Sequence, residues 1–317
     1  MEQTESAAFS GRIGIVGAGA VGAYYGARLA QAGNDVHFLL RSDAEAVERG
    51  GYRVTSCDGD FHLFPVQGHR DPAEMGPCDL VVVALKTTAQ AALETLLPPL
   101  LHPGTVLLTL QNGLGADEWL AARHGAHRVI GGLCFVCINR LGPGLIDHQA
   151  QGHISLGEFT GPPRPRTTAL AAMFRAARVS CGVVESLARE RWKKLVWNIP
   201  FNGLSIAAGG VHTAEILATP ALEARVRRLM REAIGAAAAL GHSLPADLEE
   251  KQIAATRIMG PYRPSSLIDF QAGREVELET IWGEPLRRAQ SAGCPMPELA
   301  VLYSEIADAI AARRPEQ

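Results

Sequence analysis

The sequence predicts an α/β domain built on a parallel sheet, followed by an all-α domain, and three observations carry that reading. Short apolar runs bounded by turn signals recur through the first half of the chain. A glycine-rich turn joins the first of them to a helix of small residues. From about residue 187 the pattern changes to long helical periods rich in alanine, leucine and charge. At 317 residues the chain exceeds the size at which one hydrophobic core usually stops growing, so two domains are expected, at residues 11–186 and 187–317.

Taken in order, residues 11–16 (GRIGIV) read as a short buried strand that runs into Gly17, Ala18, Gly19, Ala20, Val21 and Gly22. In a GxGxxG of this placing, Gly17 makes the tight turn, Gly19 lets a pyrophosphate approach the backbone, and Gly22 lets helix and strand pack closely. The phosphates would sit at the positive end of the helix dipole. Residues 20–32 continue as the helix, Gly33 stops it, and residues 35–40 (DVHFLL) form the second strand. The first domain is therefore Rossmann-type. The residue closing its second strand selects between cofactors, because an acid there accepts from the ribose 2′-hydroxyl of NAD whereas an arginine pairs with the 2′-phosphate of NADP. Arg41 stands there, which points to NADPH, although Asp43 lies only two residues on.

Residues 52–64 alternate as a small hairpin, and residues 79–85 and 105–110 are further strands. Their tips carry Lys86, Gln90 and Asn112, at the carboxyl edge where ligands of open α/β sheets bind. Residues 129–138 and 145–156 make two more strands with Gly142, Pro143 and Gly144 as their turn, and a helix spans 167–178. In the second half, residues 185–208, 221–240, 246–257, 275–291 and 297–312 read as helices, whose alanine-rich faces could supply a homodimer interface.

Composition narrows the partners. A hydrophobic share of 47%, a charged share of 20% and a net charge of −3 advertise neither a nucleic-acid nor a membrane surface, so a small-molecule substrate fits best. No apolar run approaches the ~18 residues of a membrane span. Six scattered cysteines imply reduced thiols in a cytoplasm, and Cys134 and Cys137 read as buried strand thiols rather than a metal or redox pair. The first ten residues read as a polar tail.

The chemistry is placed on the stretch RERWKKLVWNIPFNG. Positions four apart lie nearly in line on a helix, so Lys194, Asn198 and Asn202 form one polar stripe among Trp192, Leu195, Val196, Ile199 and Phe201. A lysine so placed can lose solvation and become a proton donor near neutral pH, or it can simply snorkel from a core helix, and the stretch alone leaves both open. A second polar stretch holds Ser265 and Glu277, which by themselves read as an N-cap and as first-turn charge.

With these residues in view, the chain resembles the ketopantoate reductase family from Arg12 to about Ala312. The resemblance rests on GAGAVG with Arg41, LKTTAQ, LQNG, RWKKLVWNIPFN and PSSLIDFQAGREVELETIWG, which are weak singly and specific in this order. It implies NADPH-dependent reduction of 2-dehydropantoate, a 2-oxo acid, to (R)-pantoate on the way to pantothenate and coenzyme A. Position by position, it implies that Lys194 protonates or polarises the ketone oxygen and that Glu277 assists it. Asn198 and Asn202 would hold the substrate hydroxyl, Ser265 would contact its carboxylate, Asn112 would lie near the nicotinamide, and Lys86 and Gln90 would contact the cofactor. For Ser265 and Glu277 these roles replace the plainer ones. Pro200 is expected to kink the helix and displace Asn202, with Gly203 loosening it further. A paralogue acting on another branched 2-oxo acid, and a non-catalytic NADP(H)-binding sensor, are the competing readings; a sensor has no need of a proton donor.

Overall fold

The structure, a computed structural model, describes residues 9–313, so the polar tail read from the sequence lies, through residue 8, outside the described residues. The chain divides into two compact units. One comprises the chain through Gln111 together with Ala116–Leu187, and the other comprises Asn112–Gly115 together with the chain from Ala188 onward.

The first unit is built on one ten-stranded sheet. Its strands are β1 (Ile13–Val16), β2 (Val36–Leu39), β3 (Tyr52–Ser56), β4 (Phe61–Leu63), β5 (Gln67–His69), β6 (Leu80–Val83), β7 (Val106–Thr109), β8 (Val129–Gly142), β9 (Leu145–Glu158) and β10 (Cys181–Val183). They run in the order β4-β3-β9-β8-β7-β6-β1-β2-β5, with β10 pairing β9. The stretch β5-β2-β1-β6-β7-β8 is parallel throughout. With the β3–β4 hairpin set aside, it is the 3-2-1-4-5-6 order of dinucleotide-binding domains. β1 (IGIV) and β6 (LVVV) are buried at every position, as central strands covered on both faces must be. Helices α1 (Ala20–Gln31), α2 (Ala44–Gly50), α3 (Pro72–Met75), α4 (Leu93–Leu96), α5 (Ala116–His124) and α6 (Pro165–Ala176) complete the unit. α1 lies close on the sheet because of Gly26, where a Cβ would stand 2.6 Å from the Phe38 ring and 2.9 Å from Ile15.

The second unit is helical: α7 (Leu187–Ala207), α8 (Thr213–Ala218), α9 (Pro220–Ala239), α10 (Leu248–Met259), α11 (Ser265–Gln271), α12 (Glu284–Ser291) and α13 (Pro297–Arg313). Its core joins Trp192, Val196 and Ile199 of α7 to Leu229 and Met230 of α9, Trp282, and Leu302 of α13.

Three expectations are corrected. α7 runs unbroken through Pro200, which is itself buried, so the proline neither ends the helix nor displaces Asn202 from the core. The helix read over 275–291 begins later: residues 274–277 are not helical, a π-helical turn spans Glu279–Gly283, and α12 follows. Glu277 is thus not a first-turn residue. Cys134 and Cys137 lie on β8 but are half-buried rather than buried, in a stretch where two irregularities interrupt the pairing with β9. The sequence reading also passed over α2, α3, α4, α5 and α8, and the strands β5 and β10.

An ion pair between the buried Glu158 carboxylate and the half-buried Arg166 anchors the far end of β9. Glu158 accepts from Arg166 Nε at 2.9 Å and from the Thr167 hydroxyl at 2.5 Å. Burial alone would raise its pKa, but these donors outweigh burial and hold the carboxyl below its ordinary value. A carboxyl depressed in the folded state stabilises above its unfolded pKa and loses that contribution as the pH falls through the folded one. Glu158→Gln should therefore cost about 3 kcal/mol at pH 7. In urea denaturation the gap to wild type should close as the pH falls below about 4.3, the ordinary glutamate pKa.

Candidate active site

In the first unit the glycine turn has the shape a pyrophosphate needs. Gly17 adopts φ +104°, and a Cβ on it would stand 2.3 Å from the Leu85 backbone nitrogen. A Cβ on Gly22 would stand 2.2 Å from the Gly17 carbonyl oxygen, so only glycine lets α1 begin this close to the turn. A Cβ on Gly19 would meet nothing within 4 Å, which leaves room beside the backbone. Gly19 is the N-cap of α1, without a side-chain cap bond, and the first turn of the helix, where Ala20 and Val21 lie, carries no acid. Nothing there competes with an anion for the leading amides. Ala18 and Ala20 flank this space and are half-buried.

At the end of the second strand, Arg41 is exposed. Asp43 is buried; its Oδ1 accepts from Arg140 and, at 3.0 Å, from the Ser42 hydroxyl, while its Oδ2 is buried with no hydrogen-bond partner. Lys86 is half-buried at the N-cap of a 3₁₀ turn, Thr87–Ala92, that follows β6. Gln90 lies in that turn, and its side-chain nitrogen is buried with no hydrogen-bond partner. A buried donor left so costs about 1–3 kcal/mol, which marks a place for a bound acceptor. The glycine turn and Gln90 thus fit a dinucleotide.

In the second unit the polar stripe is assembled as the sequence places it. Asn198 is buried and donates through Nδ2 to Asn112 Oδ1 at 3.0 Å. Asn202, also buried, accepts at Oδ1 from the Ser266 backbone N–H at 3.0 Å and from the Ser265 hydroxyl at 3.5 Å. The three asparagines and Ser265 are thereby brought together along α7. Ser265 is the exposed first residue of α11, and Pro264 precedes it as N-cap, so Ser265 is not the cap. Lys194 is half-buried, one turn before Asn198, beside the buried Trp192 and Leu195. Its neighbour Lys193 is tied to Glu190 at 2.9 Å. Glu277 is half-buried in the non-helical stretch ahead of the π turn.

Sequence reasoning missed what holds the Asn112 segment. The Leu114 N–H donates to the Thr280 carbonyl at 2.9 Å. Gly113, at φ +80°, lets the chains approach so closely that a Cβ would stand 2.2 Å from that carbonyl oxygen. The glycine of LQNG was the available signal. Among the described residues, one group of metal-ligand type gathers, Cys57, Asp58 and His148. There, however, His148 Nδ1 lies 2.8 Å from the Ser56 hydroxyl, which the Arg28 guanidinium also contacts at 3.3 Å. A guanidinium so near opposes a cation.

Comparison with known proteins agrees with the geometry. Residues 13–161 match the family model described as ketopantoate reductase PanE/ApbA, and residues 186–309 match that of its C-terminal part. A 2-dehydropantoate 2-reductase of Nostoc sp. is 42% identical over 297 residues, covering 92% of this chain and 93% of its own. A crystal structure of 2-dehydropantoate 2-reductase from Geobacter metallireducens superposes with a TM-score of 0.92 at 46% identity, over 94% of this chain and 99% of that one. A D-mandelate dehydrogenase solved with NADH and anilino(oxo)acetate shares the fold at 20% identity, with a TM-score of 0.86, over 95% of this chain and 98% of that one.

Gly113→Ala should destabilise the protein by about 1–3 kcal/mol through positive-φ strain and the contact with Thr280, measured by chemical denaturation.

Proposed function

The chain belongs to the ketopantoate reductase family of oxidoreductases, and we propose that it reduces 2-dehydropantoate to (R)-pantoate with NADPH, in the supply of pantothenate and coenzyme A. The single observation that carries the reading is the array of buried or half-buried amides Asn112, Asn198 and Asn202 on and beside α7, with Lys194 in line one turn away. Residues 11–186 serve as the cofactor domain and residues 187–317 supply the substrate and proton-transfer groups. On this reading the protein works in the cytoplasm, as a homodimer held through the helical domain.

The bound nicotinamide supplies a hydride to the ketone carbon. The carbonyl oxygen then gains negative charge, and the Lys194 ammonium stabilises it and delivers a proton from Nζ, so that an alcohol forms and the amine is reprotonated from solvent. A cation is needed there more in the transition state than in the ground state. Glu277 assists by favouring the charged form of the lysine. Asn198 and Asn202 hold the substrate hydroxyl with neutral donors and acceptors. The Ser265 hydroxyl, at the exposed start of α11, donates to the substrate carboxylate, where the first amides of the helix add positive potential. Asn112 positions the carbonyl face. On the cofactor side, Gly17, Gly19 and Gly22 admit the pyrophosphate, Lys86 and Gln90 contact it or its ribose, and Arg41 pairs with the 2′-phosphate. Asp43, the acid two residues on, is paired through Oδ1 with Arg140.

Lys194→Ala should lower kcat by about 10²–10⁴-fold while leaving NADPH binding intact, followed by NADPH absorbance with 2-dehydropantoate. In the same assay, a higher kcat/KM for another branched 2-oxo acid would move the substrate to that acid, and tight NADPH binding with no reduction of any 2-oxo acid would favour a sensor. Arg41→Ala should raise KM for NADPH by about 10–100-fold, the loss of a charge-assisted bond, and leave KM for NADH unchanged.

A further inference from the structure

The π-helical turn Glu279–Gly283 is unlike the rest of the helical unit, and Pro285 explains what it leaves available. In the π register each carbonyl accepts from the N–H five residues on, and the Glu284 N–H accordingly donates to the Glu279 carbonyl. The next pair would be the Thr280 carbonyl and the nitrogen of Pro285, which has no hydrogen. The Thr280 carbonyl instead accepts from the Leu114 N–H at 2.9 Å. Gly113 is required at this approach, and the adjoining Asn112 side chain accepts from Asn198 at 3.0 Å.

The same turn grips α7 from its other end. Trp282 is fully buried, and its indole N–H donates to the Ile199 carbonyl at 3.0 Å, between Asn198 and Asn202 in the sequence. Gly203 makes room for it, since a Cβ there would stand 2.9 Å from the indole nitrogen and 2.6 Å from Leu302. One five-residue turn therefore bonds both to the backbone beside Asn112 and to the helix that carries its partner Asn198. We infer that this turn is a positioning element, with Trp282 and Pro285 its positioning residues, that sets the spacing of Asn112 against the asparagine stripe of α7.

Neither residue touches substrate in this account, and only the kinetic consequence rests on the reductase reading above. Two single variants of the full chain test it. Trp282→Phe removes the indole donor, and Pro285→Ala returns an N–H that competes for the Thr280 carbonyl. In both, the Leu114 amide should exchange with deuterium about ten-fold faster relative to amides of β1 and β6. With 2-dehydropantoate, kcat should fall by about ten-fold while KM for NADPH stays at the wild-type value. Leu114 exchange at the wild-type rate in both variants overturns the inference, as does a lowered melting temperature with kcat unchanged. A wild-type protein that reduces no 2-oxo acid would instead strike the reductase reading, and the exchange rates would still decide the positioning role.

Discussion

Burying two asparagine amides on one helix sets the terms for the whole second unit. A primary amide taken out of water without partners costs several kcal/mol, so Asn198 and Asn202 can be buried only where other segments bring them donors and acceptors. The partners come from distant parts of the chain: the side chain of Asn112, lent by a loop that otherwise interrupts the sheet domain, and the Ser266 backbone N–H at the start of α11. Each bond fixes a further element. Because Asn112 must reach α7, residues 112–115 belong with the helices and not with the sheet from which they emerge. Because Asn202 accepts from Ser266, the start of α11 is set beside it, and Ser265 is held at the exposed edge.

The two units solve the problem of close approach in the same way. In the sheet unit, Gly22 lets α1 start against the Gly17 carbonyl, and Gly26 lets it lie on Phe38 and Ile15. In the helical unit, Gly113 and Gly203 do the same work against Thr280 and Trp282. A methyl group at Gly22 or Gly113 would push two backbones apart by more than the tolerance of a hydrogen bond, and one at Gly26 or Gly203 would drive into packed side chains. The glycines of the dinucleotide turn are familiar for this reason; Gly203, on α7, is packed as closely and carries no comparable spacing.

That contrast explains how much of the molecule was legible in the sequence. Central parallel strands buried on both faces, such as IGIV and LVVV, announce themselves by composition alone, and the glycine turn by its spacing. The stripe of Lys194, Asn198 and Asn202 follows from helical period. What was illegible depends on contacts between remote segments. The pairing of the β3–β4 hairpin with β9 leaves no local trace, and short strands such as β5 and β10 are defined by their neighbours. The helix expected over 275–291 differs in another way: its apolar period is genuine, but residues 279–283 take the π register, and the Thr280 carbonyl bonds to Leu114, far away in the chain. Pro200 misled in the opposite direction. A proline removes one donor from a helix, and burial among Ile199, Phe201 and the rest of the core more than compensates for that loss.

The choice of amides over acids along α7 follows from the charge the site would have to manage. Under the proposed reaction the substrate enters as an anion and its oxygen gains further negative charge before a proton arrives. A carboxylate at position 198 or 202 would repel both and would need its own buried cation, adding desolvation that an ion pair does not reliably repay. Neutral amides bind hydroxyls without either effect and leave the ammonium to respond to the developing oxyanion. A single acid, Glu277, stands off the stripe, half-buried and outside any helix. On the proposed reading, holding the substrate falls to groups that cannot titrate and moving the proton to groups that can.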